Sequence, residues 1–192
     1  MKREIELRGV GGQGVILAAH ILGEACLKKD IHVVIGEIHG MSQRGGDVIC
    51  TVRMGDVYGA LTRRADCLIA LEAMEALRSY DKLDEESCVI LNKRLIPTFA
   101  MSQGKEKIFS INEIIELLKK KTRHVMVIDA AKLAEEAGSV LTENVIMLGA
   151  LSSTDILPFG DETLKRAIEE SVPKRFVDVN LKAFEMGRTK IK

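Results

Sequence analysis

The segment Glu4-Ile5-Glu6-Leu7-Arg8-Gly9-Val10-Gly11-Gly12-Gln13-Gly14-Val15 decides how the rest of the chain is read. Ile5, Leu7 and Val10 are apolar while Glu4, Glu6 and Arg8 are charged, the alternation of a β-strand. The strand runs into Gly9, Gly11, Gly12 and Gly14, which satisfy the G-x-G-x-x-G spacing. Such glycines give weight to a ligand reading only between a strand and a helix, and from Val15 to Lys29 nearly every residue is apolar or a good helix former. His20, Glu24 and Lys28 fall four apart and mark one narrow wet stripe on that helix. Exposed backbone N–H groups where such a loop opens a helix form an anion site.

Working outward, Ile31 to Ile38 is rich in β-branched residues and reads as a second strand, at a distance that fits a βαβ crossover. After the loop His39 to Gly46, Val48, Cys50, Val52 and Met54 alternate with other residues, and Gly55-Asp56 leads into Val57 to Leu61. A Gly-Asp pair between two such runs predicts a hairpin, so an antiparallel excursion is expected between parallel strands. Further strands are expected over Asp66 to Leu71, Cys88 to Leu91 and Val125 to Ile128. Helices are expected from Leu71 to about Lys82, from a capping box at Ser110 and Glu113 through Lys121, and from Asp129 to Ala137. The chain closes with a buried helix over Val145 to Leu151 and amphipathic helices over Asp161 to Ser171 and Pro173 to about Gly187, while Pro97 to Lys107 reads as a loop. The whole predicts an α/β, Rossmann-like fold over residues 1–192 as a single domain, its mostly parallel sheet covered by helices on both faces, with ligands outside the carboxyl ends of the strands.

Composition narrows the function. Lys+Arg 28 and Asp+Glu 28 cancel, only 4% of residues are aromatic and Trp is absent, so neither the positive field nor the stacking platforms of a nucleic-acid binder are present. No apolar run approaches the roughly 20 residues of a membrane span, and none near the amino end reads as a signal peptide. Cys26, Cys50, Cys67 and Cys88 contain no CxxC pair. They suit a reducing cytoplasm and read as small buried hydrophobes, with no local motif for an iron–sulfur cluster.

Two readings of the glycine loop stand beside each other. A dinucleotide site asks for an acid at the end of the second strand, and Glu37, 23 residues past Gly14, is the candidate against a usual spacing of about 20. Alternatively, the glycines only let helix and strand pack, making the chain an interaction module without a ligand. The second loop, His39-Gly40-Met41-Ser42-Gln43-Arg44-Gly45-Gly46, sets a hydroxyl, an amide and a guanidinium in a row, and Arg suits bidentate recognition of carboxylate or phosphate. Of the histidines, only His39 falls in a candidate site; surface or helix-flanking roles are expected for His20, His32 and His124.

Together, Gly11-Gly12-Gln13-Gly14 and the run from Glu37 through Gly46 resemble the gamma-type subunits of the 2-oxoacid:ferredoxin oxidoreductases, with the His-Gly-Met-Ser-Gln-Arg-Gly-Gly version most like the indolepyruvate branch. The likeness extends through Asn144 to Ala150 and Asn180 to Gly187. It implies a part in coenzyme A-dependent oxidative decarboxylation of a 2-oxoacid with reduction of ferredoxin, and no activity alone. Thiamine diphosphate, Mg2+ and [4Fe-4S] clusters are expected on an alpha-type partner chain, because no Gly-Asp pair here continues as Gly-Asp-Gly. No cofactor is expected on this chain alone, and coenzyme A is a candidate shared ligand. The residues expected to face a ligand or partner are Gly9, Gly11, Gly12, Gln13, Gly14 and Glu37, with His39 to Gly46. Self-association of the isolated chain is a further candidate contact. The alternative is a stand-alone NAD(P)- or flavin-binding oxidoreductase domain.

Overall fold

The computed structural model describes residues 1–40, 46–97 and 108–189. Six strands form one sheet: β1 (Lys2–Val10), β2 (Val33–His39), β3 (Asp47–Gly55), β4 (Cys67–Ala70), β5 (Cys88–Asn92) and β6 (His124–Ile128), in the spatial order β2-β3-β1-β4-β5-β6. β1, β4, β5 and β6 pair in parallel, and β3 runs antiparallel to both β1 and β2. The expected crossover is present, since β2 points the same way as β1, but β3 fills the space between them.

That insertion corrects one expectation. No hairpin forms at Gly55-Asp56; the residues from Val57 to Leu61 are not a strand. Both edges of β3 are already paired, with Ile5 opposite Val52 on one side and Ile35 opposite Val52 on the other, so its backbone has no ladder left to offer. The segment instead crosses the sheet face, where the carbonyls of Gly59 and Ala60 accept from Arg53 and Thr51.

Seven α-helices occur among the described residues: α1 (Val15–Leu27), α2 (Ala73–Leu77), α3 (Ile111–Lys119), α4 (Ala130–Ala137), α5 (Glu143–Ser152), α6 (Asp161–Ser171) and α7 (Val177–Thr189). One face of the sheet, carrying Ile5, Leu7, Cys50 and Val52, packs on α1 and α4 to α7; the other, carrying Leu68, Ala70, Val89 and Leu91, packs on α2 and α3. The two layers explain the long apolar runs of the central strands. α5 is buried from Glu143 to Leu151, as expected of a helix with no wet stripe. The predicted capping box is made: Ser110 N–H donates to Glu113 Oε2 at 2.8 Å, and Glu113 N–H to Ser110 Oγ at 3.3 Å.

The helix expected to reach Lys82 is shorter, giving way to a 3-10 turn at Tyr80–Lys82. Its cause lies in β1. Glu6 is wholly buried on the α2 face, and Ser79 and Lys82 both donate to its carboxylate, drawing the chain onto the sheet and out of helical register. Glu4 and Arg8 are buried with it, so the alternation in β1 separates an apolar face from a paired ionic one rather than a core from solvent.

Candidate functional site

The carboxyl end of β1 delivers the first glycine loop, and the hairpin between β2 and β3 delivers the second to the same place. Gly11 N–H donates to the carbonyl of Gly46 at 2.9 Å, and Gly40 N–H to that of Asp47 at 2.8 Å. The two loops are therefore tied together at the pole where open α/β sheets hold their ligands. Met41, Ser42, Gln43, Arg44 and Gly45 lie outside the described residues.

Much of the first loop's polarity is spent inside the fold. Gln13 turns inward: its Oε1 accepts from Val10 N–H at 2.8 Å and its Nε2 donates to the carbonyl of Leu71 at 2.9 Å. Gln13 thus staples the loop to β4 instead of facing outward as expected. Gly14 is left-handed (φ 73°), its carbonyl accepts from Asn144 Nδ2 at 3.1 Å, and a Cβ there would stand 2.6 Å from that same nitrogen. Glycine is needed because α5 packs directly on the loop. Gly12, by contrast, has open space beside it.

Facing the loop is a cavity of about 880 Å³ bounded by Gly11, Gly12, Gly14, Leu17, His20 and His39. Its far wall is built by α1 and β2. Glu37 and His39 alternate with Ile38 and so share the sheet face that α1 covers, one turn past the start of which His20 projects. Glu37 Oε1 accepts from His20 Nε2 at 2.8 Å, while Oε2 stands 3.4 Å from His39 Nε2. His20 is exposed, as expected of a surface or helix-flanking residue, and it also belongs to this wall. Its spacing with Glu24 and Lys28 marked a wet stripe but said nothing of which strand would pass beneath. His32 instead bonds the carbonyl of Val57 at 2.9 Å.

Beneath both loops, on the α2 face, lies a buried ionic cluster. Arg8 Nε donates to Glu6 Oε1 at 2.8 Å; Arg8 Nη1 lies 3.4 Å from Asp47 Oδ2 and 3.9 Å from Glu75 Oε2. Burial opposes ionisation of Glu6, but hydrogen bonds from Lys82, Ser79 and Arg8 outweigh it and hold the carboxyl below its usual range. Glu75 goes the other way: burial first, and then the Asp47 carboxylate, push it up to about 7. The residues on either side of the loops, Arg8 and Asp47, are thus joined to one another and to α2.

The dinucleotide pattern is not reproduced. It requires the acid on the strand next to β1, whereas β3 lies between β1 and β2 and moves Glu37 a further strand spacing of about 4.8 Å away. Nor does the donor set fit an iron–sulfur cluster: Cys26 is on α1, Cys50 on β3, and only Cys67 and Cys88 are neighbours in register. Among the described residues no group of three or more His, Cys, Asp or Glu is arranged to hold a metal ion, and no helix is long and apolar enough to cross a membrane.

The fold is that of a gamma-type oxidoreductase subunit. The gamma subunit of the keto/oxoacid ferredoxin oxidoreductase of Geobacter sulfurreducens superposes with a TM-score of 0.72 at 26% identity, over 98% of this chain and 97% of that one. The pyruvate oxidoreductase subunit PORC of Thermotoga maritima gives 0.71 at 25% identity, over 97% and 95%. The model of the pyruvate ferredoxin/flavodoxin oxidoreductase family matches residues 4–190, and the chain belongs to that family. Among curated relatives, "Indolepyruvate oxidoreductase subunit IorB" of Methanothermobacter thermautotrophicus is 41% identical over 97% of this chain and 96% of its own, and that of Pyrococcus horikoshii 44% over 95% and 93%. The resemblance carried by the two loops is borne out.

Proposed function

We propose that this chain is the cofactor-free subunit of a cytoplasmic, indolepyruvate-type 2-oxoacid:ferredoxin oxidoreductase, and that its joined loops face an alpha-type partner. In such a complex the partner carries thiamine diphosphate, Mg2+ and [4Fe-4S] clusters, coenzyme A takes the acyl group and ferredoxin the electrons; the four cysteines of this chain do not fit a cluster, and no step is assigned to it. The observation that carries the reading is the hydrogen bond from Gly11 to Gly46, which makes one surface of two loops through residues 35 positions apart in sequence. Among the described residues such a surface has backbone donors and a cavity but no nucleophile–base pair, which suits a part that shapes or covers a site on another chain. The identity to the IorB relatives supports the indolepyruvate branch.

Within this proposal Met41, Ser42, Gln43 and Arg44 meet the partner, and the Arg44 guanidinium supplies positive charge to the complex's anionic ligands, with coenzyme A and the oxoacid carboxylate as candidates. The test is co-purification with the partner chain, followed by ferredoxin reduction with indolepyruvate, pyruvate and 2-oxoglutarate in turn. The proposal expects the complex to prefer indolepyruvate, the lone chain to be inactive and colourless, and Arg44→Ala to impair assembly or turnover. A lone chain that carries flavin or binds NAD(P)H tightly overturns it, as does a complex indifferent to Arg44→Ala.

A further inference from the structure

At the opposite pole, where β4, β5 and β6 begin, the sheet sets three reactive side chains in one row. Parallel register pairs Cys67 with Cys88 and Cys88 with His124. Residues paired in this way project from the same face, and adjacent strands stand about 4.8 Å apart, inside the roughly 4.4–6.8 Å between Cα atoms that a disulfide spans. Cys88 and His124 open onto a cavity of about 820 Å³ that Arg64, Arg123 and Asp66 also line. Cys88 is 8% exposed at its floor, and Cys67 behind it is fully buried. Hydrogen bonding from the Cys67 thiol holds Cys88 below the usual thiol range, against the effect of burial. Cys26 and Cys50 differ from Cys88: they are wholly buried, border none of the cavities described, and are pushed up to about 12, chiefly by burial.

We propose that Cys88 is a reactive thiol and Cys67 its resolving partner, together forming a redox site that a hydroperoxide converts to a cross-strand disulfide. The Cys88 thiolate attacks the peroxide, so that an S–O bond forms, the O–O bond breaks and water or an alcohol leaves, giving a sulfenic acid. Cys67 then attacks that sulfur: the S–S bond forms, the S–O bond breaks, and water departs with the Cys67 proton. The dithiol has lost two electrons and the hydroperoxide has gained them, and a thiol reductant restores the pair.

The experiment treats the reduced, full-length chain with hydrogen peroxide and reads it by intact mass and non-reducing peptide mapping. The proposal expects loss of two hydrogen atoms, one linkage between the Cys67 and Cys88 peptides, and free Cys26 and Cys50. Iodoacetamide should alkylate Cys88 at least ~10-fold faster than Cys26 or Cys50 in the native chain. In Cys67→Ala the reaction should stop at a Cys88 sulfenic acid that dimedone traps. First reaction at Cys26 or Cys50, or no reaction of Cys88 until the wild-type chain is denatured, overturns the proposal without recourse to any variant; a Cys88 sulfinic acid with no linkage overturns the resolving role of Cys67.

Discussion

The first glycine loop and the wall across the cavity from it are made of opposite materials. The loop carries the recognisable motif, yet Gln13, Gly14 and the Gly11 N–H are all engaged by other parts of the same chain. The wall takes Glu37 and His39 from the second motif and His20 from α1, and all three keep their polar atoms at the surface. Damage to the loop should therefore be felt in folding, and damage to the wall in what the folded chain can meet.

The largest effect is expected from Gly14→Ala. A left-handed residue gains a Cβ that collides with Asn144, so strain and a lost hydrogen bond together should cost roughly 2–3 kcal/mol in urea unfolding. An unchanged unfolding midpoint would mean that α5 does not clamp the loop.

Next comes the ionic floor. Glu75 has its carboxyl raised from 4.5 to about 7 in the folded chain. Between those values the folded state holds a proton that the unfolded state has released, so stability should fall as pH rises from about 4.5 through about 7, by on the order of 2 kcal/mol. Glu75→Gln should flatten this part of the pH profile, as thermal unfolding at several pH values would show. Equal slopes for both proteins would remove Glu75 from the account.

Gln13→Ala should cost somewhat less, about 1–2 kcal/mol, because Val10 N–H loses its acceptor while the Leu71 carbonyl keeps a bond from Asn92 at 3.1 Å. Smallest of all is His20→Ala. Its contact with Glu37 is half-exposed, and stability should move by no more than about 0.5 kcal/mol, although affinity for the partner chain should fall. A His20→Ala chain that unfolds much more easily than wild type would erase the contrast between loop and wall.

What could be read from the sequence follows the range of each interaction. The strand–glycine–helix unit, the capping box at Ser110 and the buried helix at Val145 are signalled by residues within a few positions of one another, and each forms where expected. β3 was legible as an antiparallel strand, but its position between β1 and β2 was not, because alternation gives a strand's faces and not its neighbours. For that reason the sequence predicts a hairpin at Gly55, while the chain turns back before β3 and not after it. His20 meets Glu37 only once α1 has crossed to β2. The row of Cys67, Cys88 and His124 depends on the register of three strands, and no local pattern marks it. Glu6 and Ser79 are 73 residues apart, and their contact is what cuts α2 short.

The most direct measurement of the central claim is hydrogen exchange of this chain, free and then bound to the proposed thiamine-binding partner. If the two loops make one docking surface, amides across Gly11 to Leu17 and across Glu37 to Gly46 should slow together on binding, while the pole carrying Cys88 and His124 keeps its rate. Slowing at only one of the two loops, or at neither, would contradict it.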